Sequence, residues 1–235
     1  TTIVGSGSDN LYIFSLVNNI NGLCNNSPNF SNLPIFNNCV GQQFCFNQGS
    51  YDVDGDSLTF EMITPLKGPN GLTVTYKPGY SFTQPVISSP PVTFDSHTGT
   101  ICMLPTQQDV SPVAVLIKEY RNGILIGEVE RDIQLSVIAC NNNLPFISGI
   151  NGTINFNLSI CAGEQSCFYI YSIDVDNNDT TKLSYDNSLP GSLFINSAGR
   201  RDSALICWTP SFSDTADNPH CFTVTVFDTH CPYLG

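Results

Sequence analysis

The chain has 235 residues, 41% of them hydrophobic and only 12% charged, with 8 Lys and Arg against 20 Asp and Glu for a formal net charge of −12. That balance excludes nucleic acid and anionic lipid as partners, because both are held by clustered cations and the cations here are scattered. Ten cysteines indicate an oxidising compartment, and with no Cys-x2-Cys pair the rival use of such cysteines, structural zinc, is disfavoured.

No run approaches the roughly 20 apolar residues that span a bilayer, and no charged start precedes an apolar stretch, so the expectation is a mature, soluble piece without membrane insertion. In chain order, strand-like runs rich in β-branched and aromatic residues occur at 12–17, 72–76, 113–117, 132–138 and 222–227. Gly, Pro, Asn and Asp punctuate them, and no helical periodicity competes. Arg121-Asn122-Gly123-Ile124 sets Asn-Gly between two such runs, the signal of a tight hairpin. About seven short strands in roughly 115 residues predict an all-β chain of tandem immunoglobulin-like β-sandwich modules stapled by disulfides.

The tandem reading comes from an internal repeat. Cys39-Val40-Gly41-Gln42-Gln43-Phe44-Cys45-Phe46, followed by Asp52 and Asp54, returns as Cys161-Ala162-Gly163-Glu164-Gln165-Ser166-Cys167-Phe168, followed by Asp174 and Asp176. The offset is constant, 161 − 39 = 122 and 174 − 52 = 122. Leu58 and Phe60 are aligned with Leu183 and Tyr185, and Cys102-Met103-Leu104-Pro105 with Cys207-Trp208-Thr209-Pro210. The predicted divisions are 1–24 as the terminal strand of a preceding module, 25–140 as module 1 with its junction, and 141–235 as module 2 with its junction. Module 2 is expected to lack its last strand, since little chain follows Asp228 where 21 residues (140 − 119) follow Glu119 to Cys140. A strand equivalent to residues 10–17, from the next repeat or from a neighbouring chain, would then complete it.

Glu119-Tyr120-Arg121-Asn122-Gly123-Ile124-Leu125-Ile126-Gly127, then Arg131-Asp132-Ile133-Gln134 and a strand ending in Cys140, resembles the repeat modules of giant cell-surface adhesins of gliding and predatory Bacteroidota, exported by type IX secretion. Asp52-Val53-Asp54-Gly55-Asp56-Ser57-Leu58 is similar to cadherin-like adhesion repeats. The second copy departs from the pattern, carrying Asp228-Thr229-His230-Cys231-Pro232 where the first has its Glu-Tyr-Arg-Asn-Gly run.

Two candidate metal sites follow from the acids. Asp52, Asp54 and Asp56 alternate in the first loop, and Asp174, Asp176 and Asp179 occupy the second, each able to aim hard oxygens at Ca²⁺. Glu119 and Asp228, at strand ends near the same pole, are candidate further ligands. Ordinary turn chemistry explains the same residues without a metal. The cysteines, paired to respect the repeat, are expected as Cys45–Cys102 and Cys167–Cys207 within modules, Cys24–Cys39 and Cys140–Cys161 across junctions, and Cys221–Cys231. Trp208 beside Cys207 is read as packing on a disulfide, with Tyr76, Tyr80 and Phe82 as an alternative sugar-stacking platform.

His97, His220 and His230 lie in turn-like contexts, and no Gly-x-Ser-x-Gly, His-Glu-x-x-His or phosphate-cradling loop occurs, so catalysis is not expected. The expected function is a structural and adhesive segment of a secreted, cell-surface filament or adhesin, with calcium as the one candidate cofactor. Its partners would be adjacent repeats or neighbouring copies and a surface glycan or protein. The alternative is a carbohydrate-binding module of a secreted enzyme.

Overall fold

The structure, a computed structural model, describes residues 1–18, 24–32, 37–197, 199–215 and 220–230. The chain divides into two compact units, Thr1–Cys140 and Asn141–Gly235.

In chain order the first unit carries β1 (Ser15–Val17), β2 (Asn29–Phe30), β3 (Asn37–Cys39), β4 (Phe44–Phe46), β5 (Ser50–Tyr51) and β6 (Ser57–Ile63). There follow β7 (Leu66–Gly68), β8 (Leu72–Thr73), β9 (Thr93–Phe94), β10 (Ile101–Met103), β11 (Asp109–Arg121) and β12 (Ile124–Ile138). One sheet runs β1-β12-β11-β6 and a second runs β4-β10-β9. The first strand of the sandwich, β3, runs parallel to the end of the last, β12, with Asn37–Cys39 beside Ser136–Ile138. That pairing, with antiparallel neighbours elsewhere, is the arrangement of an immunoglobulin-like sandwich.

Sequence pattern accounts for the layers. β6 alternates, so Phe60 and Met62 are buried while Thr59 and Glu61 face out. β11, flanked by β6 and β12, is apolar on both faces from Val113 to Ile117, and Val115 and Ile117 are wholly buried. From the second sheet, Phe44, Phe46, Ile101 and Met103 complete the core. Between them Cys45 and Cys102 stand directly opposite each other on the outer side and are bonded, with their Cα atoms 4.1 Å apart. The β11–β12 turn is built as its Asn-Gly requires, with φ +52° at Asn122 and +76° at Gly123.

The leading segment, read from sequence as the end of a preceding module, packs on the first unit. Thr2 is buried, donates its backbone N–H to the Val110 carbonyl and its hydroxyl to Ser111. β1 lies along the outer edge of β12, Ser15 opposite Val129. The strand predicted for 12–17 is therefore only its last three residues.

The second unit carries β13 (Phe146–Ile147), β14 (Ser166–Ile173), β15 (Thr181–Tyr185), β16 (Leu193–Asn196), β17 (Ser203–Trp208) and β18 (Val224–Asp228). One sheet runs β13-β14-β17-β16, and β15 pairs with β18. Phe168, Ile170 and Ile206 form the core, with Ile147, Phe194, Phe222 and Val224 packed against them. Cys167 and Cys207 are opposed and bonded, as Cys45 and Cys102 are in the first unit. Register corrects the sequence alignment. Glu119 stands opposite Leu58, and Asp228 opposite Thr181, so the counterpart of Phe60 is Leu183 rather than Tyr185. The second acidic loop is one residue longer than the first, since 179 − 174 = 5 where 56 − 52 = 4.

The junction staples are corrected too. Cys39 is bonded to Cys140, not to Cys24, and Cys140 is thereby unavailable to Cys161. The parallel β3–β12 pairing sets Cys39 beside the last residues of β12, bringing together cysteines 101 residues apart. Cys24 and Cys161 are exposed and outside any disulfide. The proposed partner of Cys221, Cys231, lies outside the described residues.

Candidate cation centres

Each unit gathers three of the predicted acids. In the first, oxygens of Asp52, Asp56 and Glu119 all lie within 4.8 Å of one another; in the second, those of Asp174, Asp179 and Asp228 do. Asp54 and Asp176 are not brought into these groups. Each instead accepts two bonds from one asparagine. Asn26 donates its backbone N–H (2.7 Å) and its amide (3.0 Å) to Asp54, and Asn143 donates the same two groups to Asp176 at 2.7 and 3.1 Å. These bonds, backbone first, hold both carboxyls below the usual range.

The loops are wound by their first acid. Asp52 Oδ1 accepts the N–H groups of Asp54 (2.8 Å) and Asp56 (3.1 Å), and Asp174 Oδ1 accepts that of Asp176 at 2.8 Å. This turn chemistry uses one oxygen and leaves the other, Asp52 Oδ2 or Asp174 Oδ2, buried without a hydrogen bond, although the Arg201 guanidinium stands 3.6 Å from Asp174 Oδ2. The strand-borne acid is the most deeply placed. Glu119 is 1% exposed, and its Oε1 also lacks a hydrogen bond. Burial pushes its carboxyl up to about 7; the Asn25 amide opposes this, while Asp52 and Asp56 add to it. Asp228, fully buried, accepts the Asn142 amide at 2.6 Å and is likewise raised, first by desolvation.

A basic side chain meets the third acid in each unit. Arg121 donates Nε to Asp56 (2.7 Å) and also reaches the Cys24 carbonyl and the Asn25 side chain. Two residues past Asp228, the His230 ring stands 3.4 Å from Asp179. Arg201 gathers the backbone of the second loop, donating to the carbonyls of Asp174, Asp176 and Asp179. One guanidinium does not offset three converging carboxylates, and an unpaired buried charge is costly. The donor set is entirely hard oxygen with orphaned lone pairs, which fits Ca²⁺ and does not suit a soft metal.

The asparagines are what sequence reasoning missed. Asn25 and Asn26 follow Cys24, and Asn142 and Asn143 follow Cys140 by way of Asn141. The recurring Cys-Asn-Asn was the available signal. The aromatic platform is not assembled: Tyr76 and Tyr80 are half-buried, with hydroxyls donated to Pro112 and Asp109. Trp208 and Cys207 are consecutive in β17 and leave opposite faces; the indole donates to the Pro190 carbonyl and meets His220 edge-on.

No family model matches the chain, and no curated protein does. Among solved structures, a chimeric titin Z1Z2 functionalised with an exogenous decorin peptide aligns over 91% of this chain and 94% of its own, at 11% identity and TM-score 0.24. The titin I-band fragment I67–I69 aligns over 86% of this chain and 64% of its own, at 11% identity and the same TM-score of 0.24. The fold assignment rests on the sheets themselves. The three disulfides among the described residues fit an oxidising, extracellular setting, and no helix among those residues is long and apolar enough to cross a membrane.

Proposed function

We propose that the chain is a structural and adhesive segment of a secreted, cell-surface filament or adhesin, built from disulfide-closed immunoglobulin-like repeats whose acidic loops are locked by calcium. The observation that carries this reading is that the same constellation is built twice. In each unit an asparagine clamps the middle acid of the loop while three carboxylates converge, and in the second unit Asn142 also holds the strand acid. Calcium would bind Asp52, Asp56 and Glu119 in the first unit and Asp174, Asp179 and Asp228 in the second, fixing each acidic loop to the strand that carries the third acid. Arrays of such modules carry tension and display a binding tip at a distance. The resemblance to giant Bacteroidota adhesins supports the surface role, with a glycan or protein as the target.

Single-molecule pulling on the chain tests the load-bearing role. Unfolding forces of both units are expected to rise in millimolar calcium relative to chelator. Equal forces in the two conditions, or unfolding without a resolved force peak, would overturn it.

A further inference from the structure

The two units share a sheet whose outward face differs between them. Register matches β14, β16 and β17 of the second unit to β4, β9 and β10 of the first, with Cys167–Cys207 in the place of Cys45–Cys102. Inward positions keep their chemistry. Phe168, Phe194 and Ile206 stand where the first unit has Phe46, Phe94 and Ile101. Outward positions do not. Tyr169, Tyr171, Leu193, Ile195 and Leu205 take the places of Asn47, Gly49, Thr93, Asp95 and Thr100. At the sheet edge, Phe146 of β13 takes that of Asn29 in β2. The first unit shows that the fold accepts polar residues at these positions, so the apolar face is not a requirement of the sandwich. A strand such as β14, apolar on both faces, belongs between two layers.

The outer layer is not supplied by the unit itself. Phe146 (52%), Tyr169 (45%), Tyr171 (42%), Ile173 (39%), Leu193 (51%) and Ile195 (50%) are all exposed on this face. The two tyrosine rings stack with centroids 6.0 Å apart. No outward position of the four strands carries a charge, in a chain of net charge −12. All four strands are internal to the unit, and the place that β12 fills in the first unit belongs to the other sheet. With β12 present, the first unit leaves the matching face open as well, Cys45, Thr93 and Asp95 being exposed. Six side chains of roughly 200 Å² each, about half exposed, present on the order of 600 Å². A stable interface takes about 800 Å² from each partner. The six supply most of that, and half-buried Leu205, the disulfide and the rim supply the rest.

We propose that two copies of the chain pair through this face, sheet on sheet, about a twofold axis. Tyr169, Tyr171 and Leu205, on the two middle strands, form the centre of the contact, with the layers about 10 Å apart. Both copies use the same patch, so the contact closes as an isologous dimer and joins neighbouring filaments side by side. Charge favours a second copy, because an uncharged face is where two chains of net charge −12 can meet without opposing carboxylates. Side-chain chemistry disfavours a sugar, because aliphatic Ile173, Leu193 and Ile195 flank the tyrosines where a sugar platform needs hydrogen-bonding groups. The inference deepens the filament reading, naming the partner of one face, and rests on it for its setting.

The test is sedimentation equilibrium of the full 235-residue chain, its thiols alkylated so that no new disulfide links copies. A dimer forming at roughly micromolar concentration is expected. It should strengthen as salt is raised toward roughly 1 M, because screening relieves repulsion and leaves apolar burial intact. Tyr169→Asn and Ile195→Asp install the residues that the first unit carries at the same places, so the fold accommodates them. Together they should weaken the dimer at least roughly 100-fold with unchanged circular dichroism. Ile124→Asp, at a first-unit site that is 64% exposed, should leave association unchanged. A native chain monomeric at hundreds of micromolar, species growing beyond the dimer, or an equal loss from Ile124→Asp would overturn the proposal. So would a monomer that binds a glycan array and loses that binding on Tyr169→Asn. Association is measured in chelator and without load, so its failure is distinguishable from failure of the calcium-locked filament reading.

Discussion

Gly127 stands opposite Glu119 across the β11–β12 ladder, and a Cβ at Gly127 would lie 2.2 Å from a Glu119 carboxylate oxygen. The absent side chain therefore makes the space that the buried acid occupies. Gly127→Ala is expected to displace Glu119 and disable the first cation centre while sparing Asp174, Asp179 and Asp228. Metal analysis after equilibration with calcium should fall from two ions per chain to one. Retention of both ions would count against Glu119 as a ligand.

The pH dependence of the metal-free chain follows from its raised carboxyls. Glu119 is pushed up to about 7 from 4.5 by desolvation, and Asp132 to about 7 from 3.8 by desolvation and by the neighbouring Glu130. In both, the folded state holds a proton that the unfolded state has already released, so stability falls as pH rises through this window. Asp54 and Asp176 are shifted down and act only at more acidic pH. In chelator, Tm should fall from pH 5 to pH 7.5; calcium should restore most at the upper end by binding the Glu119 carboxylate. A metal-free Tm that climbs across this range would contradict the assignment.

Arg131 is a structural cation. It donates to the carbonyls of Gln48 (2.9 Å) and Asn32 (2.6 Å), and its guanidinium lies 4.5 Å over the Phe30 ring. Arg131→Met keeps the stem but removes both charged hydrogen bonds, and should cost about 3 kcal/mol in urea unfolding of the first unit. Arg121→Met, whose partners lie at the acidic loop, should instead alter calcium affinity.

The bond between Cys39 and Cys140 closes a loop of about 100 residues, for which the chain-entropy model gives about 4.7 kcal/mol. Cys140→Ser should therefore destabilise the first unit by roughly 4–5 kcal/mol and release the end of β12. Hydrogen exchange should show lost protection at residues 136–138 before any change at β4 or β10.

The β class, the Asn122-Gly123 hairpin and the two acidic loops are legible in the sequence because each is local, written in alternation, in a turn dipeptide or in closely spaced carboxylates. Cys45–Cys102 and Cys167–Cys207 are legible because cross-strand pairing repeats with the module. The Cys39–Cys140 pairing is not, since the parallel contact of β3 with β12 has no local signature and a staple to Cys24 respects the repeat equally well. Asp54 and Asp176 look like ligands by spacing, yet the loop is wound on Asp52 or Asp174, and the middle carboxyl meets an asparagine from a distant segment. Those asparagines read as junction composition until the fold sets Asn26 beside Asp54.

Calcium titration of the full chain by calorimetry, beside the Glu119→Gln and Asp228→Asn variants, tests the central claim most directly. Two calcium ions per chain are expected for the native protein and one for each variant, with magnesium a poor substitute. No binding at millimolar calcium, or a stoichiometry unchanged in both variants, would contradict the account.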